Sequence, residues 1–187
     1  MRRFLASLLE VLEVAVVALG AVFLIRTFLV QPFLVSGASM APTFENGDYL
    51  LVDEVSYNVR NPQRGEVIVF RYPLDESTYF IKRVIGVQGD TVEFTNGKVK
   101  IINSEHPDGM VLNESYLPQD IVTNPRPEKP STFTLSAGQY LVLGDNRSYS
   151  FDSRDWGIIK SSEIIGMVRL RLWPVNDLQV FAAPPTN

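Results

Sequence analysis

The sequence predicts a mainly β domain carried behind one N-terminal transmembrane helix. Three observations predict it: an almost continuous apolar stretch from Phe4 to Val35, a series of short β-branched and aromatic runs punctuated by Gly and Pro from Asp48 onward, and an Asn96-Gly97 pair set between two alternating segments. At 187 residues, 45% hydrophobic and 20% charged, the chain can build one globular domain plus the apolar segment, and it is too apolar for a disordered protein.

Glu10, Glu13 and Arg26 are the charges within the apolar stretch, and Val14 to Ile25 carries none. Those residues alone would rise about 18 Å as a helix, so flanks on both sides are needed to match a hydrocarbon core of about 30 Å, with the charges near the interfaces where they can snorkel. Residues 9–30 are therefore expected to form a membrane anchor. A buried amphipathic helix and a cleaved secretory signal are the competing readings. The second is weakened because the apolar residues run on through Thr27-Phe28-Leu29-Val30 with no small-x-small pattern before Pro32. Arg2 and Arg3 place residues 1–8 in the cytoplasm and residues 31–187 on the far side, making a single-pass protein of the cell membrane.

Beyond the anchor, strands are expected at Asp48–Val55, Glu66–Tyr72, Tyr79–Val87, Thr91–Phe94, Lys98–Ile102, Gln139–Leu143 and Ile164–Trp173. Asn96-Gly97 joins two of them as a two-residue hairpin, because both residues tolerate positive φ. Residues 103–132 read as a loop-rich excursion with at most one short strand: Ser104 to Pro130 holds five prolines and little periodicity.

Composition narrows the chemistry. With no cysteine and a single histidine, His106, the chain has no disulfide, thiolate metal site or cysteine nucleophile, and most histidine-based metal sites are excluded too. A formal charge of −4 argues against a surface that neutralises nucleic-acid phosphates.

Three segments carry candidate chemistry. In Ser36-Gly37-Ala38-Ser39-Met40-Ala41-Pro42-Thr43, small residues surround Ser39 and let another backbone approach its hydroxyl. A base must take the proton; His106 sits in a turn-like stretch of the excursion, so a Ser-His-Asp triad would rest wholly on that loop. Lysine remains. In Tyr79-Phe80-Ile81-Lys82-Arg83-Val84-Ile85-Gly86, alternation puts Phe80, Lys82 and Val84 on one face and Ile81, Arg83 and Ile85 on the other. If the Lys82 face turns inward, desolvation lowers its pKa and makes it usable as a base; if the strand is an edge, both cations reach solvent. The third segment, Leu143 to Gly157, packs hydroxyls, three carboxylates and two arginines behind an apolar strand. Asp145, Asn146, Asp152 and Asp155 are hard donors that could suit calcium, but EF-hand spacing is absent and Arg147 and Arg154 oppose a divalent ion. A solvated turn, or a loop braced by an Asp152/Arg154 pair, remains.

Together these segments resemble the type I signal peptidases, membrane-anchored serine proteases with a Ser/Lys dyad. The resemblance runs from the anchor to about Trp173 and rests on Ser39-Met40-Ala41-Pro42-Thr43, Gly47-Asp48, Lys82-Arg83-Val84-Ile85-Gly86 with Gly89-Asp90, and Gly144-Asp145-Asn146-Arg147 leading to Ser150-Phe151-Asp152-Ser153-Arg154-Asp155-Trp156-Gly157. It implies an antiparallel β catalytic core, Ser39 as nucleophile, Lys82 as general base, Ser150 hydrogen-bonded to the lysine amine, and Asp152 and Arg154 holding the loop that supplies Ser150. It also implies no metal or cofactor, and secretory preproteins as substrates beside the membrane lipid. Phe33, Val35, Met40, Phe44, Phe80 and Ile81 match positions that line the family's shallow pockets for small residues, where the bland reading is core packing.

One position departs from part of the family. Where some members carry a serine that helps stabilise the oxyanion, this chain has Gly37. Ser36 points to the opposite side in an extended segment, so backbone amides, that of Ser39 first, are expected to serve. Two other classes share such a core: a catalytically silent membrane-tethered binding module, and a soluble self-cleaving Ser/Lys regulator. The intact Ser39, Lys82 and Ser150 speak against the first and the apolar N-terminus against the second.

Overall fold

The computed structural model describes residues 10–20 and 30–181. Residues 10–20 are helical (α1), and the apolar side chains Val11, Leu12, Val14, Val16, Val17 and Leu19 are all exposed. No helix among the described residues is long and apolar enough to cross a membrane. The rest of the anchor expected over 9–30, and the whole of 1–8, lie outside the described residues.

The strands that follow are β1 (Val30–Leu34), β2 (Tyr49–Asp53), β3 (Val67–Tyr72), β4 (Asp75–Gly86), β5 (Thr91–Thr95), β6 (Lys98–Ile102), β7 (Met110–Val111), β8 (Thr132–Thr134), β9 (Gln139–Leu143), β10 (Ile159–Lys160), β11 (Ile164–Trp173) and β12 (Gln179–Val180), with a one-turn helix α2 (Ser153–Trp156) before β10. They form two antiparallel sheets: a large one in the order β1-β2-β11-β3-β4-β9-β10 with β12 on β11, and a small one in the order β7-β6-β5-β8.

All seven predicted runs are strands, and the differences at their ends have local causes. β2 stops at Asp53 rather than Val55 because the Asp53 carboxylate turns the chain, accepting the backbone N–H groups of Val55 and Ser56 at 3.0 Å each and the Ser56 hydroxyl at 2.7 Å. β4 begins at Asp75 rather than Tyr79 because it leaves β3 through a tight hairpin that pairs Tyr72 with Asp75. Asn96 and Gly97 adopt φ of 49° and 73°, the turn their sequence requires. The excursion contributes β7, of two residues, and β8 opens at its last residue, Thr132.

Packing explains how one strand buries two cations. β3 sends Val67 and Val69 into one apolar cluster, with Val35, Met40, Phe44, Leu50, Val52 and Val168, and Ile68 and Phe70 into another, with Val84, Tyr140, Val142 and Ile159. The large sheet is thus covered on both faces. β4 lies inside it, flanked by β3 and, at its C-terminal end, by β9, so it is not an edge strand and Lys82 and Arg83 are both buried. At Gly86 the register with β9 shifts, and a Cβ there would lie 2.5 Å from Val92 and 2.6 Å from Leu135, so glycine lets the small sheet close against β4.

Candidate active site

Ser39 lies on the compact turn between β1 and β2. Val35 N–H donates to Asp48 O at 2.9 Å, Gly47 N–H to Val35 O at 3.0 Å and Phe44 N–H to Met40 O at 3.0 Å, which fold the turn over the buried Met40 and Phe44. Gly37 has φ +94°, and its N–H donates to Asn46 Oδ1 at 2.9 Å. That amide therefore has an acceptor, whereas the Ser39 N–H donates to no acceptor among the described residues. Ser36 is exposed.

Lys82 reaches this turn from β4, 43 positions away in sequence, and its Nζ donates to Ser39 Oγ at 2.7 Å and to Ile81 O at 2.9 Å. Its side chain is almost fully enclosed, and Nζ lies 5.3 Å from the centre of the Phe80 ring. Burial pulls the amine's pKa down from 10.5 to about 8, against the opposing pull of the Asp152 and Asp145 carboxylates. A hydroxyl hydrogen-bonded to an amine poised near neutrality can serve as a nucleophile with that amine as its base.

The loop after β9 closes the site. Asn146 N–H donates to Ser39 O at 3.0 Å, and Asn146 Nδ2 to Ala38 O at 3.0 Å. Asp145 accepts from Arg83 Nε at 2.8 Å, Arg83 Nη2 at 2.6 Å and Thr43 Oγ1 at 2.5 Å, tying the nucleophile turn to the residue next to the lysine. Gly144 has no room for a Cβ, which would collide with the Ser150 hydroxyl and the Ser39 carbonyl oxygen. Asp152 and Arg154 form a buried ion pair: Arg154 Nε and Nη2 each donate to Asp152 at 2.8 Å, and Arg154 Nη2 also donates to Arg147 O at 2.8 Å. Burial would raise the pKa of Asp152, but the Arg154 guanidinium and the Gly144 N–H outweigh it and hold the carboxyl below its usual range.

Several expectations are corrected. Ser150 is buried with its hydroxyl close to Gly144 and the Ser39 carbonyl, but no hydrogen bond joins it to the lysine, whose Nζ donates to Ser39 Oγ and Ile81 O. Phe33, Val35, Phe80 and Ile81 line a cleft of about 360 Å3 in front of Ser39 and Lys82, together with the exposed Tyr149 and Phe151. Met40 and Phe44 do not line it; the turn folds them into the core beneath. Asp145 and Asp152 are both engaged by arginines, and among the described residues no group of His, Asp and Glu is arranged to hold a metal ion. His106 is exposed on the excursion and does not line the cleft.

Sequence reasoning missed Asn46, Thr43 and Arg171. Arg171, on β11, donates to Thr43 O at 3.2 Å and Asp48 Oδ2 at 2.9 Å, supporting the nucleophile turn from behind. Its period along β11 gave no sign of this, since the contact is made across 128 positions.

The sequence is similar to known proteins over most of its length. A profile of the family described as signal peptidase, peptidase S26, matches residues 8–173. The chain is 39% identical over 179 residues to a signal peptidase I of Leptolyngbya laminosa, covering 91% of this chain and 80% of that protein. It is 34% identical over 184 residues to a signal peptidase IB of Staphylococcus aureus, covering 92% and 93% of the two. A crystal structure of a signal peptidase I from Enterococcus faecalis V583 aligns with a TM-score of 0.46 at 30% identity, over 58% of this chain and 97% of that one.

Proposed function

This chain belongs to the signal peptidase family, peptidase S26, and from that membership we propose that it cleaves signal peptides from secretory preproteins with Ser39 as nucleophile and Lys82 as general base. The observation that carries the assignment is the 2.7 Å bond between Ser39 Oγ and a buried amine whose pKa is lowered to about 8. Neutral Lys82 accepts the Ser39 proton as Oγ attacks the scissile carbonyl. The resulting ammonium protonates the departing amine, leaving an acyl-enzyme. Neutral again, the lysine deprotonates the water that releases the acid and regenerates Ser39. The Ser39 N–H supplies an oxyanion donor. Asp145 and Asp152, each neutralised by its arginine, hold the loop that borders the pair.

Substrate binding follows from the edges that flank the cleft. β1 pairs with β2 alone, and β4 pairs with β9 only from Arg83 onward, so both carry unpaired backbone at the cleft. An extended preprotein segment laid between Phe33–Val35 and Phe80–Ile81 gains main-chain hydrogen bonds, and the shallow apolar lining selects small side chains. Beyond Glu10 and Glu13 in its first turn, α1 is apolar on every side with its valines and leucines exposed, which suits lipid rather than water. This supports a single-pass anchor over 9–30 with residues 1–8 cytoplasmic and the catalytic domain 31–187 outside, at the membrane surface where signal helices end.

The test uses the full chain in detergent micelles with a preprotein bearing a small-x-small cleavage site. Ser39→Ala and Lys82→Ala are each expected to abolish cleavage while the protein stays folded. Turnover near the wild-type rate in either folded variant would remove the dyad assignment.

A further inference from the structure

The excursion contacts the loop after β9 at several points, with Glu114 and Thr123 on Arg147 and the Asn124 carbonyl on Arg154, and a further side chain, Arg126, reaches the Ser150 backbone and is left unused by the reaction scheme. Arg126 Nη2 donates to the backbone carbonyl of Ser150, which has no other donor among the described residues. The same guanidinium pairs through Nε with Asp155, at 3.1 Å to Oδ1 and 3.3 Å to Oδ2. Asp155 Oδ2 in turn accepts the Asp152 N–H at 3.0 Å, closing the capping box that starts α2. One arginine thus grips both ends of the Ser150–Asp155 segment.

The segment needs such a grip. Ser148, Tyr149 and Phe151 are exposed, and Ser150 is buried between two of them with its hydroxyl against Gly144 and no partner for it. The position of the Ser150 backbone therefore sets where that hydroxyl sits. The backbone around Arg126 is restricted: it stands in Pro125-Arg126-Pro127, where Pro125 has its own φ locked by its ring and Pro127 disfavours a helical conformation at the arginine. The preceding residues are anchored as well, since Thr123 Oγ1 accepts from the buried Arg147 at 2.6 Å and Thr123 N–H donates to Gly97 O at 2.8 Å.

Resting on the reading that Ser39 and Lys82 carry out cleavage, we propose that Arg126 is a positioning residue for that reaction, a staple by which the excursion fixes the Ser150 wall of the dyad. The bland alternative is a half-exposed ion pair of little consequence. A control of that kind exists in the same chain: Arg169 pairs with Asp53 at 3.1 Å through a side chain 44% exposed, on a face that does not line the cleft.

Full-length wild type, Arg126→Ala, Arg126→Lys and Arg169→Ala are compared in micelles with the preprotein substrate, kcat being normalised to active sites counted by acyl-enzyme burst. Misplacement by a fraction of an ångström lowers a rate without weakening remote binding, so Arg126→Ala should lose about tenfold in kcat with KM within about twofold and a melting temperature like that of Arg169→Ala. Arg126→Lys, which keeps the charge but cannot fork to two acceptors, should recover part of the loss; Arg169→Ala should keep wild-type kcat. A normalised kcat for Arg126→Ala within twofold of wild type overturns the proposal, as does a loss that Arg169→Ala reproduces. If Arg126→Ala does not fold, a wild-type kcat in Arg126→Lys overturns it and a partial loss supports it. Ser39→Ala in the same series separates the two readings: cleavage by that variant removes the dyad, whatever Arg126 does.

Discussion

Raising the pH should switch this enzyme on along a single titration that belongs to Lys82. With its pKa at about 8, roughly one lysine in eleven is neutral at pH 7, against about one in three thousand for an ordinary lysine at 10.5. kcat/KM should therefore climb nearly tenfold per pH unit below about 8 and level off above it. The same shift has a thermodynamic face whose sign can be worked out. Between the two pKa values the unfolded chain binds the proton and the folded one does not, so stability rises with pH across that window. At pH 7 the buried amine costs the fold about 3 kcal/mol, and at pH 10 under about 1 kcal/mol. Lys82→Met removes this cost together with the bonds to Ser39 Oγ and Ile81 O, whose loss is largely independent of pH. The stability of the variant relative to wild type should consequently drop by about 2–3 kcal/mol from pH 7 to pH 10. Urea unfolding of both proteins in micelles at the two pH values measures the difference, and background titrations cancel in it. A kcat/KM profile flat from pH 6 to 9, or a relative stability that does not move with pH, would refute the account of Lys82.

Three further outcomes are expected. Asp152→Asn and Arg154→Ala each strand a buried partner, so each should cost about 3–5 kcal/mol in urea unfolding and lower activity with it; a dead variant of unchanged stability would assign these residues to the chemistry itself. Gly144→Ala forces a methyl against the Ser150 hydroxyl and the Ser39 carbonyl oxygen, so kcat should fall at least tenfold while a denaturation scan shows a folded protein; full activity would mean the loop yields freely. Ser36→Ala should change kcat by less than about threefold, whereas loss of a true oxyanion donor costs on the order of a hundredfold, and a loss of that size at constant KM would make Ser36 the donor.

The strands were legible because alternation is written residue by residue: β3, β5, β6, β9 and β11 each carry enough β-branched and aromatic positions to declare themselves, and the Asn96-Gly97 turn is set by local φ preferences. β7, β10 and β12 are two residues each, too short to show a period. β1 was hidden for a different reason: it continues an apolar stretch that reads as an anchor, and only its pairing with β2 makes it a strand.

At the site, the residue types were readable and their contacts were not. Ser39 among small residues, Lys82 on a strand and the Asp152/Arg154 spacing pointed to the chemistry through local composition and family resemblance. Alternation left open whether Lys82 or Arg83 would be buried, and the answer that both are came from β4 being enclosed on its two faces and flanked by β3 and β9, which is a property of sheet order. The same holds for the choice between pocket and core at Phe33, Val35, Met40 and Phe44, which turns on how the Ser39 loop folds back. The lysine pKa, the Asp145–Arg83–Thr43 link, the missing Ser150 bond and the Arg126 staple all join residues tens of positions apart. Which groups are available, and which short segments become strands, is set by covalent neighbours and so can be read along the chain. Which groups meet, and which are desolvated, depends on how strands remote in the chain are paired, and that appears only in the folded molecule.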